Sequence, residues 1–436
     1  MKFYSTNHKS EPVTFREAVI QGLADDKGLF YPESIPELSA SFFEKLPKLS
    51  LGEIAFEFLK PYVGKELSDG DLKSLLDEAL NFDIPLVELE KDEYALELFH
   101  GPTMAFKDVG ARTMARFLSN FTSREKVTIL VATSGDTGSA VAQGFYNVEG
   151  IDVVVLYPKN QVSNIQEKQF TTLGGNITAL EVNGTFDDCQ RMVKAAFVDS
   201  ELKQKIQLSS ANSINIARLL PQAVYYFYAY GQLKNHYKPL VISVPSGNYG
   251  NLTAGLIAKK SGLPVDRFIA AANRNDVVPE YFSTGIFRPR PSIATISNAM
   301  DVGDPSNFAR MLEMYSGSLM DMRGAISAYS FTDQETTLEM KYIYRKFGYI
   351  LDPHGAVAHL GLSAYMKNHD VSGVFLETAH PAKFKETVEQ NLPVKVEIPE
   401  QLKTSLEKKK LSIEISDSSE DLKQFLLNRQ GNCFAT

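Results

Sequence analysis

What most constrains this chain is a recurring pattern. A short run of β-branched and other apolar residues leads into a turn rich in Gly, Ser or Thr, and a stretch with helical spacing follows. The clearest runs are Val127–Ala132, Val153–Tyr157, Leu240–Val244, Phe268–Ala272 and Val374–Leu376. Continuous apolar runs of this length suit strands buried on both faces. Strand, turn, helix, strand in series builds a mostly parallel α/β sheet covered by helices. In such sheets ligands bind beyond the carboxyl ends of the strands, so the glycine turns are where chemistry is expected.

The flanks read differently. Up to about Pro85 the chain is expected to be mostly helical, with apolar residues at helical spacing over Ser50–Tyr62 and Leu72–Leu80 and with Pro32, Pro36, Pro61 and Pro85 as punctuation. From about Pro393 a basic run, Lys408–Lys410, precedes an acidic one, Glu414–Asp421; a solvated terminal strand and helix are expected there, without chemistry. A length of 436 residues implies two or three lobes. The formal net charge of -8 disfavours a nucleic-acid partner. Two cysteines, Cys189 and Cys433, far apart and in no CxxC, argue against a disulfide framework or a zinc site and fit a reducing cytoplasm. No HExxH or similar spacing marks a metal hydrolase, so no metal is expected. The first twenty residues lack an apolar core, so no secretory signal is expected, and no stretch reaches membrane-spanning length.

Four turns carry candidate chemistry. In VISVPSGNYGNLTAG, Val241–Gly255, a strand ends at Pro245 and helix resumes at Leu252. Glycines let backbone N–H groups converge, and a helix N-terminus adds positive potential: an anion cradle suited to phosphate, or else a plain strand-to-helix turn. It is neither a Walker loop nor GxGxxG. ATSGDTGSA, Ala132–Ala140, offers the hydroxyls of Thr133, Ser134, Thr137 and Ser139. It suits a carboxylate, or simply caps the helix that follows. In LFHGPTMAFKDVGA, Leu98–Ala111, Lys107 stands near a helix start among apolar residues. Such a lysine has a lowered pKa and becomes a nucleophilic amine; the alternative is an exposed lysine paired with Asp108. In LETAHPAKF, Leu376–Phe384, a strand ends at Thr378, whose hydroxyl could bond a ring nitrogen. His354 and His380 are read as structural supports.

Taken in order, HGPTMAFKD, ATSGDTGSA, SANSINIARLLPQ and SGNYGN resemble the threonine synthase family of fold-type-II pyridoxal-phosphate enzymes, the tryptophan-synthase-β-like group. The likeness begins at GLADDKGLFYPESIP, Gly22–Pro36, and covers all but roughly the last fifty residues. It implies an α/β fold of two open, mostly parallel twisted sheets flanked by helices, with a helical N-terminal extension. The implied division is 1–88, a catalytic region 89–392 with a smaller mobile domain inserted at roughly 110–230, and a C-terminal segment 393–436. It implies pyridoxal 5'-phosphate held as a Schiff base on Lys107, with the cofactor phosphate at Gly247, Asn248, Tyr249, Gly250 and Asn251 and the pyridine nitrogen at Thr378. The substrate carboxylate is expected at Thr133, Ser134, Asp136 and Thr137, and the substrate phosphate at Asn212, Ser213 and Arg218. Relatives in the wider group often carry Asn where Asp136 stands. An ionised Asp136 would repel a carboxylate, so backbone N–H groups and hydroxyls would bind it while Asp136 faces away or holds the turn.

The implied reaction turns O-phospho-L-homoserine and water into L-threonine and phosphate, by γ-elimination and then β-addition of water, with the cofactor as electron sink and Lys107 moving the α-proton. A lobe closing over the site would control water. A monomer or homodimer, free of nucleic acid and membrane, is the expected state. Competing readings are a serine or threonine dehydratase, a phospho-lyase acting on phosphorylated amino acids, and a colourless phosphate-binding protein.

Overall fold

The computed structural model describes residues 1–122, 126–234 and 237–431, so Cys433 lies outside the described residues. Among the described residues the strands form three sheets. The first is small and antiparallel, in the order β2-β1-β3, from β1 (Lys2–Ser5), β2 (Val13–Thr14) and β3 (Phe30–Pro32). It adds a small sheet to the mostly helical start that the sequence suggests. These strands are two to four residues long, too short to show an alternation in sequence. The helices read from the sequence are present beside it. Ser50 caps Leu51–Val63 in a capping box with Glu53, and Asp69–Ala79 follows.

The second sheet comprises β4 (Leu86–Glu90), β5 (Glu93–Glu97), β10 (Leu240–Pro245), β11 (Arg267–Ala272), β12 (Ile326–Ser330) and β13 (Ser372–Glu377), in the order β12-β11-β10-β13-β5-β4. All its pairs are parallel except β4 with β5. The third is wholly parallel, in the order β14-β8-β7-β6-β9, from β6 (Val127–Ala132), β7 (Ile151–Pro158), β8 (Ile177–Val182), β9 (Gln207–Ser210) and β14 (Ser412–Ile415). β6, β10 and β13 are buried along their whole length, which is why they read as unbroken apolar runs.

Strand order brings the turns together. β13 lies between β10 and β5. The SGNYGN turn after β10, Thr378 after β13 and the lysine segment after β5 therefore emerge side by side at one edge. In the other sheet β6 and β9 are neighbours, so TSGDTG and Asn212–Ser213 also leave together.

The C-terminal segment departs from expectation. A strand and a helix are there, but they are not merely solvated. β14 pairs with β8, and Leu422 and Leu426 of the helix Ser419–Gly431 are buried in the core that also holds Cys189 and Met192. An edge strand alternating serine, glutamate and isoleucine carries little apolar signal until its partner is known.

Candidate active site

Lys107 is the first residue of the helix Lys107–Phe121. The approach to it is tightly folded. Asp108 accepts from Thr103 N at 2.8 Å and Thr103 Oγ1 at 2.7 Å. A Cβ on Gly101 would lie 2.5 Å from Asp108 Oδ2. Asp108 therefore braces the Gly-Pro turn and is not the partner of Lys107. Phe106 N donates to Thr378 O at 2.9 Å and His380 N to Met104 O at 3.0 Å. The lysine segment is thus stitched to the residues after β13, which places Lys107 and Thr378 together. Thr378 is itself buried.

Lys107 is half-buried, and among the described residues its amine makes no hydrogen bond; its near neighbour is the Phe106 ring, 5.7 Å to the centroid. Burial pushes its pKa down to about 8; the Asp136 charge opposes this, and the Arg218 and Lys383 charges add to it. An amine so tuned loses its proton readily near neutral pH, as nucleophilic attack and proton transfer require.

The SGNYGN turn is held from three sides. Asn248 Nδ2 donates to Ser213 Oγ at 2.6 Å, and its Oδ1 accepts from Ser306 N at 2.6 Å. A Cβ on Gly247 would stand 2.6 Å from Met300 Cα. Tyr249 adopts the left-handed region at φ 58° and is buried, a conformation that a side chain rarely takes. Asn251 Oδ1 accepts from both Tyr225 Oη and Tyr226 Oη at 2.5 Å. That leaves Asn251 Nδ2 and Tyr249 Oη buried with no partner. The first turn of the helix Gly250–Lys260 also presents N–H groups ahead of its first internal bond, Thr253 N to Tyr249 O at 2.9 Å. Donors in excess, a glycine backbone and a helix N-terminus fit a phosphate group.

In the turn after β6, Thr133 Oγ1 accepts from Gly135 N at 2.9 Å and Gly138 N at 2.8 Å, which is a capping role. Ser134 and Thr137 are half-buried. Asp136 is buried, and its Oδ1 is taken by Lys383 Nζ at 2.7 Å and Gln166 Nε2 at 2.8 Å. Burial alone would raise its pKa; the Lys383 and Lys107 charges and the bonds from Lys383 and Gln166 hold it well below the carboxylate range instead. Lys383, fully enclosed, also donates to Thr103 O at 2.8 Å. One lysine so joins the turn after β6 to the turn before Lys107.

Arg218 is buried in the short helix Ile216–Leu219. Its Nη1 donates to Ala211 O, while its Nε has no partner. Burial lowers its pKa to about 10, with the Asp108 charge opposing. A Cβ on Gly110 would lie 2.6 Å from Arg218 O, so the lysine helix and the arginine turn touch backbone to backbone. Asn212 Oδ1 is likewise buried and unpartnered. Ser213 Oγ accepts from Asn248 and, at 3.3 Å, from Asn307 Nδ2.

The sequence reading missed Lys383, Gln166 and Arg310. Lys383 stands inside the quoted AHPAKF motif, and the unresolved charge of Asp136 was the signal for it. Arg310 is fully buried and donates to Ile214 O at 2.6 Å and Phe30 O at 3.0 Å, tying the NSINIAR loop to β3. Nothing local in its sequence foretold this. No set of three or more His, Cys, Asp or Glu able to hold a metal occurs among the described residues. No helix among them is long and apolar enough to cross a membrane.

Comparison with known proteins shows the family and the fold. Three family models match: a pyridoxal-phosphate dependent enzyme model over residues 81–376, threonine synthase N terminus over 2–80, and threonine synthase, C-terminal, over 355–426. The chain is 47% identical to a threonine synthase of Haemophilus influenzae, across 98% of this chain and 100% of that one. The crystal structure of threonine synthase from Escherichia coli superposes with a TM-score of 0.92 at 43% identity, covering 98% of this chain and 100% of that one. A threonine synthase from Brucella melitensis, crystallised with pyridoxal phosphate bound, gives 0.91 at 34% identity over 98% of each chain. By its residues, its fold and these likenesses, the chain belongs to the threonine synthase family of pyridoxal-phosphate-dependent enzymes.

Proposed function

We propose that this chain makes L-threonine and phosphate from O-phospho-L-homoserine and water, in the cytoplasm, as a monomer or homodimer without nucleic-acid or membrane partners. The observation that carries the reading is the meeting of a depressed-pKa lysine, an anion cradle and the unpartnered Arg218 Nε donor at the edges of two mostly parallel sheets. Pyridoxal phosphate, when bound, supplies an electron sink for the carbon that bears the substrate amine.

The chain's residues do the rest. Lys107 holds the cofactor covalently, and its amine moves the proton at the substrate's α-carbon. Gly247, Asn248, Tyr249, Gly250 and Asn251 hold the cofactor phosphate through backbone N–H groups and the Asn251 amide. The Thr378 hydroxyl meets the ring nitrogen. Arg218, Asn212 and Ser213 grip the substrate phosphate and release it as the product; the Arg218 Nε donor is free for it. Ser134, Thr137 and the backbone at Thr133 bind the substrate carboxylate. Asp136 is assigned a holding role in place of substrate contact, since its carboxylate is committed to Lys383 and Gln166. The proposed moving lobe is the five-stranded sheet, and β14, paired with β8, would travel with it although it lies outside the bounds of roughly 110–230. Its closure would exclude water from the reacting carbon. Boundaries near 88 and 392, with the mobile domain at roughly 110–230, complete the proposed division.

The test is threonine and phosphate release from O-phospho-L-homoserine by purified protein with pyridoxal phosphate. Equal amounts of both are expected, together with a visible absorption band. Lys107→Ala should lose the band and more than about 10⁴-fold in turnover, with the circular dichroism spectrum unchanged. Phosphate without threonine would replace this reading with a phospho-lyase, and ammonia with a keto acid would replace it with a dehydratase.

A further inference from the structure

Behind the site lies a pair of acids that the reaction does not use. Glu377 ends β13, and Asp352 caps the helix Pro353–Met366; both are fully buried. Both crowd the first turn of that helix, Asp352 at its cap and Glu377 against Gly355. Yet no side chain donates to Glu377 Oε1, Glu377 Oε2 or Asp352 Oδ2. A Cβ on Gly355 would fall 1.6 Å from Glu377 Oε1, so the carboxyl group fills the space that glycine leaves.

The other oxygen of Asp352 is fully engaged. Oδ1 accepts from His354 N at 2.7 Å and pairs with His354 Nδ1 at 2.5 Å. Across the ring, His354 Nε2 accepts from Ala299 N at 3.2 Å, which puts the imidazole proton on Nδ1. Ala299 and Met300 form the wall against Gly247 of the phosphate turn, 3.2 Å from Ala299 O and 2.6 Å from Met300 Cα to a Cβ placed there. A chain of contacts thus runs from the residue next to Thr378 to the back of the cradle.

Two adjoining buried carboxylates cannot both stay ionised. We propose that Glu377 and Asp352 share one proton, carried on Glu377 and donated to Asp352 Oδ2, and that this proton positions the cofactor site at both ends. At one end it fixes the end of β13, and with it Thr378. At the other it holds Asp352 against His354, and through His354 the Ala299–Met300 wall. Glu377 and Asp352 are positioning residues; neither is assigned contact with substrate. The inference rests on the pyridoxal-phosphate site described above.

The surrounding groups favour the protonated form. Burial comes first, followed by the charges of Asp352 and of Glu97 at the end of β5, in lifting Glu377 well above the usual carboxyl range; the Asp352 backbone N–H opposes them and is outweighed. Tyr349 faces the same region and donates to Glu97 Oε1 at 2.7 Å, and His100 pairs with Glu97 Oε2 at 2.7 Å. His380, its pKa lowered to about 4 by burial and by His100, brings no positive charge at neutral pH. A raised value in the folded state means that the contribution is complete at acid pH and is lost as pH climbs through the raised value.

The experiment compares wild type, Glu377→Gln and Glu377→Leu as holoenzymes. Cofactor loss is followed by decay of the visible band and by pyridoxal phosphate recovered in the filtrate, from neutral to alkaline pH. The glutamine amide replaces the shared proton and cannot titrate. It should retain the cofactor like wild type at neutral pH and should escape the faster loss that wild type shows at alkaline pH. Leucine should lose the cofactor about tenfold faster or more. An infrared difference spectrum, wild type minus Glu377→Gln, should show the C=O stretch of a protonated carboxyl group. Absence of that band, or glutamine as leaky as leucine, would overturn the proposal. Band and glutamine variant decide even where leucine fails to fold. Failure of wild type to bind pyridoxal phosphate would strike the functional reading instead, and the band would still report on the shared proton.

Discussion

Lys107 sits among three charges that pull its amine in opposite directions, and Asp136 and Lys383 are two of them. The buried Asp136–Lys383 pair answers the objection that an acid should not face a substrate carboxylate: its charge is already met. Removing one partner of such a pair is more damaging than removing both. Lys383→Met should cost about 3–5 kcal/mol in urea unfolding, and adding Asp136→Asn should restore part of it. Because the Asp136 pKa is depressed, the pair's contribution is present above the ordinary aspartate range and is lost as pH falls through the depressed value. Wild type should therefore weaken in strong acid more steeply than the double variant. Arg218→Ala should raise KM for O-phospho-L-homoserine about tenfold or more while cofactor retention changes far less; equal loss of both would move Arg218 out of the substrate site.

The decisive element is the strand-to-helix turn after β10. Its glycines answer to particular neighbours. Gly247 is needed because Met300 backbone lies where a Cβ would go, and the two segments are 53 residues apart in sequence, from 247 to 300. Gly247→Ala should force the cradle and the Met300 wall apart. Overpacking of this kind costs about 1–3 kcal/mol, and here it should appear as cofactor affinity weakened by about tenfold, read by titration of the visible band. Unchanged affinity would mean that the wall yields freely. The turn after β6 works differently. Thr133 spends its oxygen on Gly135 and Gly138 N–H groups, so the binding proposed for this residue falls to the backbone it shapes.

At the scale of the molecule, buried charge also ties elements together at a distance from the cofactor site. His359, in the helix that Asp352 caps, bonds Glu93 of β5 and Glu339 of the helix Asp333–Phe347, each at 2.5 Å. Both ring nitrogens meet carboxylates, so the ring carries two protons. Burial lowers its pKa, but the bonds and charges of Glu339 and Glu93 outweigh that and raise it to about 9. A raised histidine stabilises fully below its ordinary range and ceases to do so as pH rises through the folded value. Unfolding free energy should fall by on the order of 3 kcal/mol as pH rises from about 6.5 through about 9. His359→Gln should be less stable at neutral pH and flat across that window, as followed by urea midpoints. A parallel decline in the variant would assign the effect to other groups.

The sequence by itself determined the parallel α/β framework, because strands buried on both faces must be apolar along their whole length, as Val127–Ala132 and Leu240–Pro245 are. It also carried the candidate site's main parts, though through the order and wording of its motifs, since each turn alone left a bland alternative open. Tertiary structure alone decided the rest. The strand order set Thr378 between the lysine segment and the cradle. It brought Lys383 to Asp136 across 247 positions of sequence and seated β14 beside β8. The short polar β9 and β14 and the N-terminal strands carry too little pattern to be read before their partners are known. Buried ion pairs and shared protons go unread for the same physical reason. Their existence depends on which charge arrives opposite and how little water remains, and neither is a property of any stretch of chain.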